Sequence, residues 1–145
     1  MKRLTLLALT VASSLICSLN SDKVLAQISL TCPTQGVLTL SGKFNLNTAQ
    51  QAQCSFTVDN TVSSIGVTIN LGTPSLISGK PDPSGTNRTA QLIYPGKTIN
   101  EGSSTTDTFS GGTTTTMFLN MQIQRPNEFF AGTYRYDVNI NITSP

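Results

Sequence analysis

The chain has 145 residues, which is enough for one domain with a hydrophobic core and too few for two ordinary domains. Only 11% of the residues are charged, 6% are aromatic, and there is no histidine. The lack of histidine excludes Ser-His-Asp and Cys-His nucleophile systems, histidine general bases and every histidine-containing zinc or copper site. Threonine, serine, asparagine and glutamine fill the polar positions, as is typical of secreted β-sheet proteins.

The first segment has the pattern of a signal peptide. Lys2-Arg3 precedes an apolar stretch from Leu4 to Ile16, and Val24-Leu25-Ala26 is a small-residue cleavage signal. The apolar stretch is too short and too rich in hydroxyl groups for a membrane anchor, which needs about 20 apolar residues. We therefore expect residues 1–26 to be removed, which leaves residues 27–145 as one β-sandwich domain with no membrane span.

Cleavage also changes the charge. The full chain has a formal net charge of +2, whereas residues 27–145 keep six basic and six acidic residues. Because no basic stripe or polybasic segment is left, we expect neither nucleic acid nor a membrane surface as a partner.

Cleavage further removes Cys17 and leaves Cys32 and Cys54. Two cysteines in an exported chain most simply form one disulfide. Closing the loop from Cys32 to Cys54 is worth about 3 kcal/mol in the chain-entropy model. Both cysteines fall on the inward faces of predicted strands, which suits a bridge in the core.

The dominant periodicity after residue 27 is two, the period of half-buried strands. In chain order the clear alternating segments are 28–32, 54–58, 65–71, 117–124 and 134–143, and the weaker ones are Val37–Leu40, Lys43–Leu46, Thr89–Tyr94 and Thr105–Phe109. Ser110-Gly111-Gly112-Thr113 separates two strand-like runs and predicts a hairpin turn. The pattern predicts an all-β, antiparallel sandwich of about seven strands.

The last strand has the clearest alternation. One face carries apolar and aromatic side chains, which we expect to point into the sandwich: Tyr134, Tyr136, Val138, Ile140 and Ile142. The other face carries polar side chains, which we expect to point outward: Arg135, Asp137, Asn139, Asn141 and Thr143.

Candidate sites for chemistry are weak. The acidic residues are scattered singly, so a carboxylate pair for glycoside hydrolysis is not indicated. Asp82 lies in a predicted surface loop, 78–87, whose oxygen ligands lack the spacing of a calcium loop. We expect no catalytic residues, no cofactor and no metal, and hence a protein that is not an enzyme.

The segment from Ala131-Gly132-Thr133-Tyr134 to Ile142 resembles the closing strand of the spore coat protein U / Csu-type pilin family. Cys32 followed by Gly36-Val37-Leu38 is similar to the first cysteine region of that family, and Cys54 would be its partner. The signal peptide and the all-β pattern agree with this resemblance.

The resemblance implies a non-catalytic subunit of a surface fibre that functions in adhesion. Such subunits are incomplete immunoglobulin-like sandwiches that lack the final strand. The resemblance places a strand-complementation groove along the inward residues of the last strand, Tyr134, Tyr136, Val138, Ile140 and Ile142. A periplasmic chaperone, an outer-membrane usher and neighbouring pilin subunits would be the partners, with export through the periplasm to the cell-surface fimbrium.

One feature leaves the position in a fibre open. A donor segment would precede the first cysteine, yet only Gln27–Thr31 lies between the predicted cleavage site and Cys32. The alternative function is a stand-alone secreted β-sandwich module that binds glycans through loops at one end, with Tyr94 and Tyr134 as its aromatic candidates.

Overall fold

The computed structural model of the chain describes residues 9–11 and 27–143, which form antiparallel strands joined by turns and loops. The rest of the predicted signal peptide, with Cys17 and the cleavage site, lies outside the described residues, as do Ser144 and Pro145. The strands are β1 (Leu9–Val11), β2 (Ile28–Thr34), β3 (Gly36–Leu40), β4 (Asn45–Gln50), β5 (Ala52–Val58), β6 (Ser64–Leu71), β7 (Ser75–Ser78), β8 (Asn87–Tyr94), β9 (Lys97–Asn100), β10 (Ser104–Ser110), β11 (Thr114–Gln124), β12 (Arg135–Asp137) and β13 (Ile140–Thr143).

The larger sheet contains two interrupted strands. β2 and β3 follow one another with a break at Gln35, and β4 and β5 do so with a break at Gln51. The line of β2 and β3 pairs with the line of β4 and β5, which pairs with β11. Beyond β11 lie β8 and then β9, while β1 pairs with the outer edge of β3.

The smaller layer contains two further interrupted strands. β6 pairs with β10 on one side and with β13 on the other, and β7 pairs with β12. At the break between the two halves, the Gly72 N–H donates a 2.8 Å hydrogen bond to the Asn139 carbonyl. The line of β6 and β7 therefore stays paired with the line of β12 and β13.

The two layers pack through the inward faces of their strands. Phe56 of the larger sheet and Phe109 of the smaller one have ring centroids 4.7 Å apart, and Tyr94 lies 6.1 Å from Phe109 on the other side. The burial alternates with period two along β5 and β11, as the sequence predicts. The all-β, antiparallel sandwich is thus confirmed.

The predicted disulfide is confirmed. Cys32 of β2 is bonded to Cys54 of the neighbouring β5, with the two Cα atoms 4.0 Å apart. Cys54 is buried, whereas Cys32 is only half-buried because β2 is an edge strand. The pairing of β2 with β5 shifts register between Thr31 and Thr34, so the bridge lies at an irregularity in the sheet.

The predicted hairpin at 110–113 is wrong. β10 pairs with β6 in one layer, whereas β11 pairs with β5 in the other, so this turn carries the chain between the layers. The Gly112 N–H donates to the Val58 carbonyl, and a Cβ on Gly111 would overlap the Val62 carbonyl oxygen. The glycines therefore permit a close crossover.

The last strand also departs from prediction in two respects. It is interrupted at Val138-Asn139 instead of running unbroken to Thr143. Asp137, predicted to face outward, is 4% exposed and lies near Arg135, with 3.5 Å between Oδ1 and Nε. Its carboxylate is buried because β12 lies within the fold, flanked by β7 and β1.

Candidate functional site

The strongest candidate site is the gap between the edge of β3 and the edge of β12. β1 occupies it, pairing with β3 in the register Leu9 with Leu38, Thr10 with Val37, and Val11 with Gly36. β1 also runs beside β12, whose opposite edge is paired with β7. A short strand in this gap thus closes the space between the two layers.

Gly36 makes this edge compact. A Cβ at this position would come within 2.9 Å of the Ala52 nitrogen and 3.0 Å of the Gln50 carbonyl oxygen. Only glycine lets β3 pack this closely against the break in the β4–β5 line. The end of β3 that pairs with β1, where Gly36 lies opposite Val11, is therefore held directly against this break.

The five predicted groove residues are buried. Their exposed fractions are at most 3%, and their inward orientation is confirmed: Tyr134, Tyr136, Val138, Ile140 and Ile142. That they line a groove for an incoming strand stays a prediction. The residue nearest the gap by position is Tyr136, which lies in the middle of β12.

A buried charge cluster supports β12 from within. The Tyr136 hydroxyl donates a 2.7 Å hydrogen bond to Oδ1 of Asp82, and Arg125 and Arg88 form ion pairs with the same carboxylate. The side chains of Asp82 and Arg125 are each 2% exposed. Burial acts to raise the pKa of the Asp82 carboxyl, but hydrogen bonds from Tyr136, Arg88 and Arg125 outweigh it and hold this pKa below its ordinary value.

Aromatic rings complete the cluster around Arg125. Its guanidinium carbon lies 4.3 Å from the ring centroid of Phe129 and 4.6 Å from that of Tyr134. Its Nη2 donates to the Lys80 carbonyl at 3.0 Å, so the cation also anchors the 78–87 loop. Asp82 is therefore an internal ion-pair partner, and the prediction of a solvated surface acid in that loop is wrong.

Sequence reasoning missed this cluster because its members are far apart in the chain. Asp82 and Arg125 are separated by 43 positions, and neither lies in a recognisable motif. The only local signal is Arg125 itself, a charged residue that continues the inward alternation of β11 directly before Pro126.

The aromatic candidates for a glycan site are not available at the surface. Tyr94 and Tyr134 are 4% and 3% exposed, and both belong to the core. Within residues 9–11 and 27–143, no group of three or more His, Cys, Asp and Glu side chains could hold a metal ion. Over the same residues, no helix is long and apolar enough to cross a membrane.

Comparisons of the chain with protein-family models, with curated proteins and with solved structures each find no match.

Proposed function

We propose that this protein is a non-catalytic subunit of an exported surface fibre, completed by β-strand addition from a partner. The proposal takes up the resemblance of the 131–142 segment to the spore coat protein U / Csu-type pilins. In this proposal a periplasmic chaperone and then another subunit supply the missing strand, and an outer-membrane usher assembles the fibre.

The observation that carries the proposal is the position of β1. Leu9–Val11 fills the gap between β3 and β12, yet it belongs to the segment that the sequence predicts to be cleaved on export. Cleavage would leave the outer edges of both β3 and β12 without a neighbour. Such an open edge is an aggregation hazard that an added strand removes.

The order of the strands supports the proposal. In an immunoglobulin-like sandwich, one sheet has the order A-B-E-D and the other C-F-G. Here the larger sheet runs from the β2–β3 line through the β4–β5 line and β11 to β8, which corresponds to A-B-E-D. In our proposal the β6–β7 line beside the β12–β13 line corresponds to C-F, β10 is an additional strand on the other side of β6, and a strand added in the gap now held by β1 would take the place of G.

The N-terminus of the exported chain has little to donate. Ile28–Thr34 already pairs with β5, and the Gln27 carbonyl accepts a 2.7 Å hydrogen bond from the Asp59 N–H. A segment engaged in its own sheet is not free to complete another subunit. In our proposal this protein accepts a strand without giving one, which suits a terminal position in a fibre.

Site-directed crosslinking tests the proposal. The protein of residues 27–145 with Val37→Cys is mixed with a synthetic peptide of residues 5–14 in which Thr10 is replaced by cysteine. Because residues 10 and 37 are paired in the β1–β3 register, we expect a disulfide-linked complex. A matched control, Thr98→Cys on β9 at the far side of the sheet, should give none.

Thermal unfolding gives an independent measure. At a peptide concentration of about 100 times its dissociation constant, binding to the folded state adds about 2.7 kcal/mol, which raises the melting temperature by about 10 °C. A soluble, two-state monomer of residues 27–145 that neither crosslinks with the peptide nor gains stability from it would overturn the proposal.

A further inference from the structure

We infer that the outer face of the larger sheet carries a binding site for a neutral oligosaccharide. An open groove of about 630 Å³ crosses this face, where β4, β11, β8 and β9 lie side by side. Amide side chains dominate its lining, with two threonines, one glutamate and two apolar residues: Asn47, Gln91, Asn100, Asn120, Gln122, Thr48, Thr89, Glu101, Ala90 and Met121.

The amides are ordered across neighbouring strands. Asn120 lies opposite Gln91 in the β11–β8 register, and Gln91 lies opposite Asn100 in the β8–β9 register. The Gln91 amide donates a 3.0 Å hydrogen bond to Asn100, and Gln51 donates another of the same length to Asn120. These bonds hold the side chains in a row and use only part of their hydrogen-bonding capacity, since each amide has two donors and two acceptor positions.

One acceptor in the groove also needs a donor. Oδ1 of Asn47 is buried and has no hydrogen-bond partner among the described residues. Buried polar atoms are normally paired, so Asn47 is a lining residue whose hydrogen-bonding capacity the protein itself does not use in full. A sugar hydroxyl is both donor and acceptor. It therefore matches side-chain amides, which also carry both, better than it matches charged side chains, which carry only donors or only acceptors.

The charge of the groove selects among ligands. Of the residues that line it, none is lysine or arginine, and Glu101 already accepts a 3.0 Å hydrogen bond from the Ala90 N–H. Nucleic acids and acidic polymers would find no cation here. Phe118, 36% exposed and two positions from Asn120 on the same face of β11, offers an apolar ring beside the row for stacking on a pyranose.

Calorimetry with defined sugars tests the site. The secreted protein is titrated with cellohexaose, maltohexaose and mannohexaose, and with a hexamer of galacturonate as the charged comparison. We expect at least one neutral hexasaccharide to bind, and Gln122→Ala or Asn100→Ala to weaken that binding about tenfold or more. Binding should be unchanged when salt is raised to about 0.5 M, because no ion pair contributes.

Thr106→Ala, on the outer face of the opposite layer, is the matched control and should leave affinity within about twofold. The inference is overturned if no neutral sugar binds up to about 10 mM, a concentration that detects weak millimolar affinity. It is also overturned if folded Gln122→Ala binds as the parent does, or if only the galacturonate hexamer binds and salt abolishes it. A dimer of the secreted protein that Phe118→Ala dissociates would instead assign this face to a second copy of the chain.

Discussion

The hydroxyl of Tyr136 donates a 2.7 Å hydrogen bond to Oδ1 of Asp82, 54 positions earlier in the chain. This bond joins the centre of β12 to the loop between β7 and β8. The other edge of β12 is the one at which a partner strand is proposed to bind. The preorganisation of that edge therefore depends on a buried polar contact as well as on apolar packing.

Tyr136→Phe removes the hydroxyl donor, so the buried Asp82 carboxylate loses one of its hydrogen bonds. Because hydrogen bonds to charged groups are worth about 1.5 to 3 kcal/mol, we expect the free energy of unfolding to fall by that amount. Urea denaturation measures it. Tyr134→Phe is the matched control, since its hydroxyl donates to the neutral Phe130 carbonyl at 3.2 Å, and it should cost about 1 kcal/mol. Equal effects of the two substitutions would contradict the charge-assisted role.

The Asp82 carboxylate should make stability depend on acid pH. Its pKa is lowered in the fold, so its contribution is present above the unfolded value of about 4 and is lost as the pH falls through the folded pKa. Asp82→Asn should cost about 3 to 5 kcal/mol at neutral pH, because it leaves Arg125 buried without its ion pair. The difference between parent and variant should shrink below about pH 4. Urea titrations of both proteins between neutral and strongly acid pH measure this difference in unfolding free energy. A difference that stays constant with pH would argue against this mechanism.

Tyr94 should make stability depend on alkaline pH. Burial, and then the nearby Asp107 carboxylate, raises the pKa of the Tyr94 phenol to about 12. The contribution of the neutral phenol is therefore present below the unfolded value of about 10 and is lost as the pH rises towards 12. Tyr94→Phe should flatten this part of the stability profile, and Asp107→Asn should flatten it less. If the free energy of unfolding of Tyr94→Phe falls with rising alkaline pH as steeply as that of the parent, the loss of stability comes from other groups.

The Cys32–Cys54 bridge should stabilise the domain of residues 27–145 by about 3 kcal/mol, since it closes a loop with a sequence separation of 22. Cys32→Ser together with Cys54→Ser should lower the urea midpoint accordingly, without changing the fold. The intact mass of this domain, purified without reductant, should be two hydrogens below the free-thiol mass. Two thiols that react with an alkylating reagent in native protein would disprove the bridge.

Two neighbouring residues of the last strand should respond very differently to a new charge. Ile140 is fully buried, so Ile140→Asp places a carboxylate in the core and should unfold a domain of ordinary stability. Asn139 is exposed, and Asn139→Asp keeps the backbone carbonyl that accepts the Gly72 N–H, so this substitution should cost under about 0.5 kcal/mol. Circular dichroism and thermal melts compare the two variants, and similar melting temperatures would refute the inward assignment.

Local sequence patterns predicted which side chains of a strand point inward, but they did not predict how successive strands are connected. The period of two along 134–143 places Tyr136 and Ile140 inward, because alternate side chains must share one side of a sheet. The turn at 110–113 marks a change of direction but contains nothing that decides which layer the next strand joins. That choice depends on the pairing of β11 with β5, more than fifty residues earlier in the chain.

The buried ion pair was invisible for a related reason. Asp82 stands among proline, serine and glycine, which is the composition of an exposed loop. Its burial arises only when Arg88 approaches from β8 and Arg125 from just beyond the end of β11, and sequence alone gives no spacing that brings these residues together.

The covalent link between β2 and β5 also sets the mechanical response of the outer edge. Tension on the N-terminus peels an edge strand one hydrogen-bonded pair at a time, and here the peeling begins at Ile28. It must stop at Cys32, because the bond to Cys54 transfers the load to β5, which stays paired with β11 on its other side. β3, the strand that lies against β1, comes after that anchor, so a force that frays the first residues of the domain does not reach it.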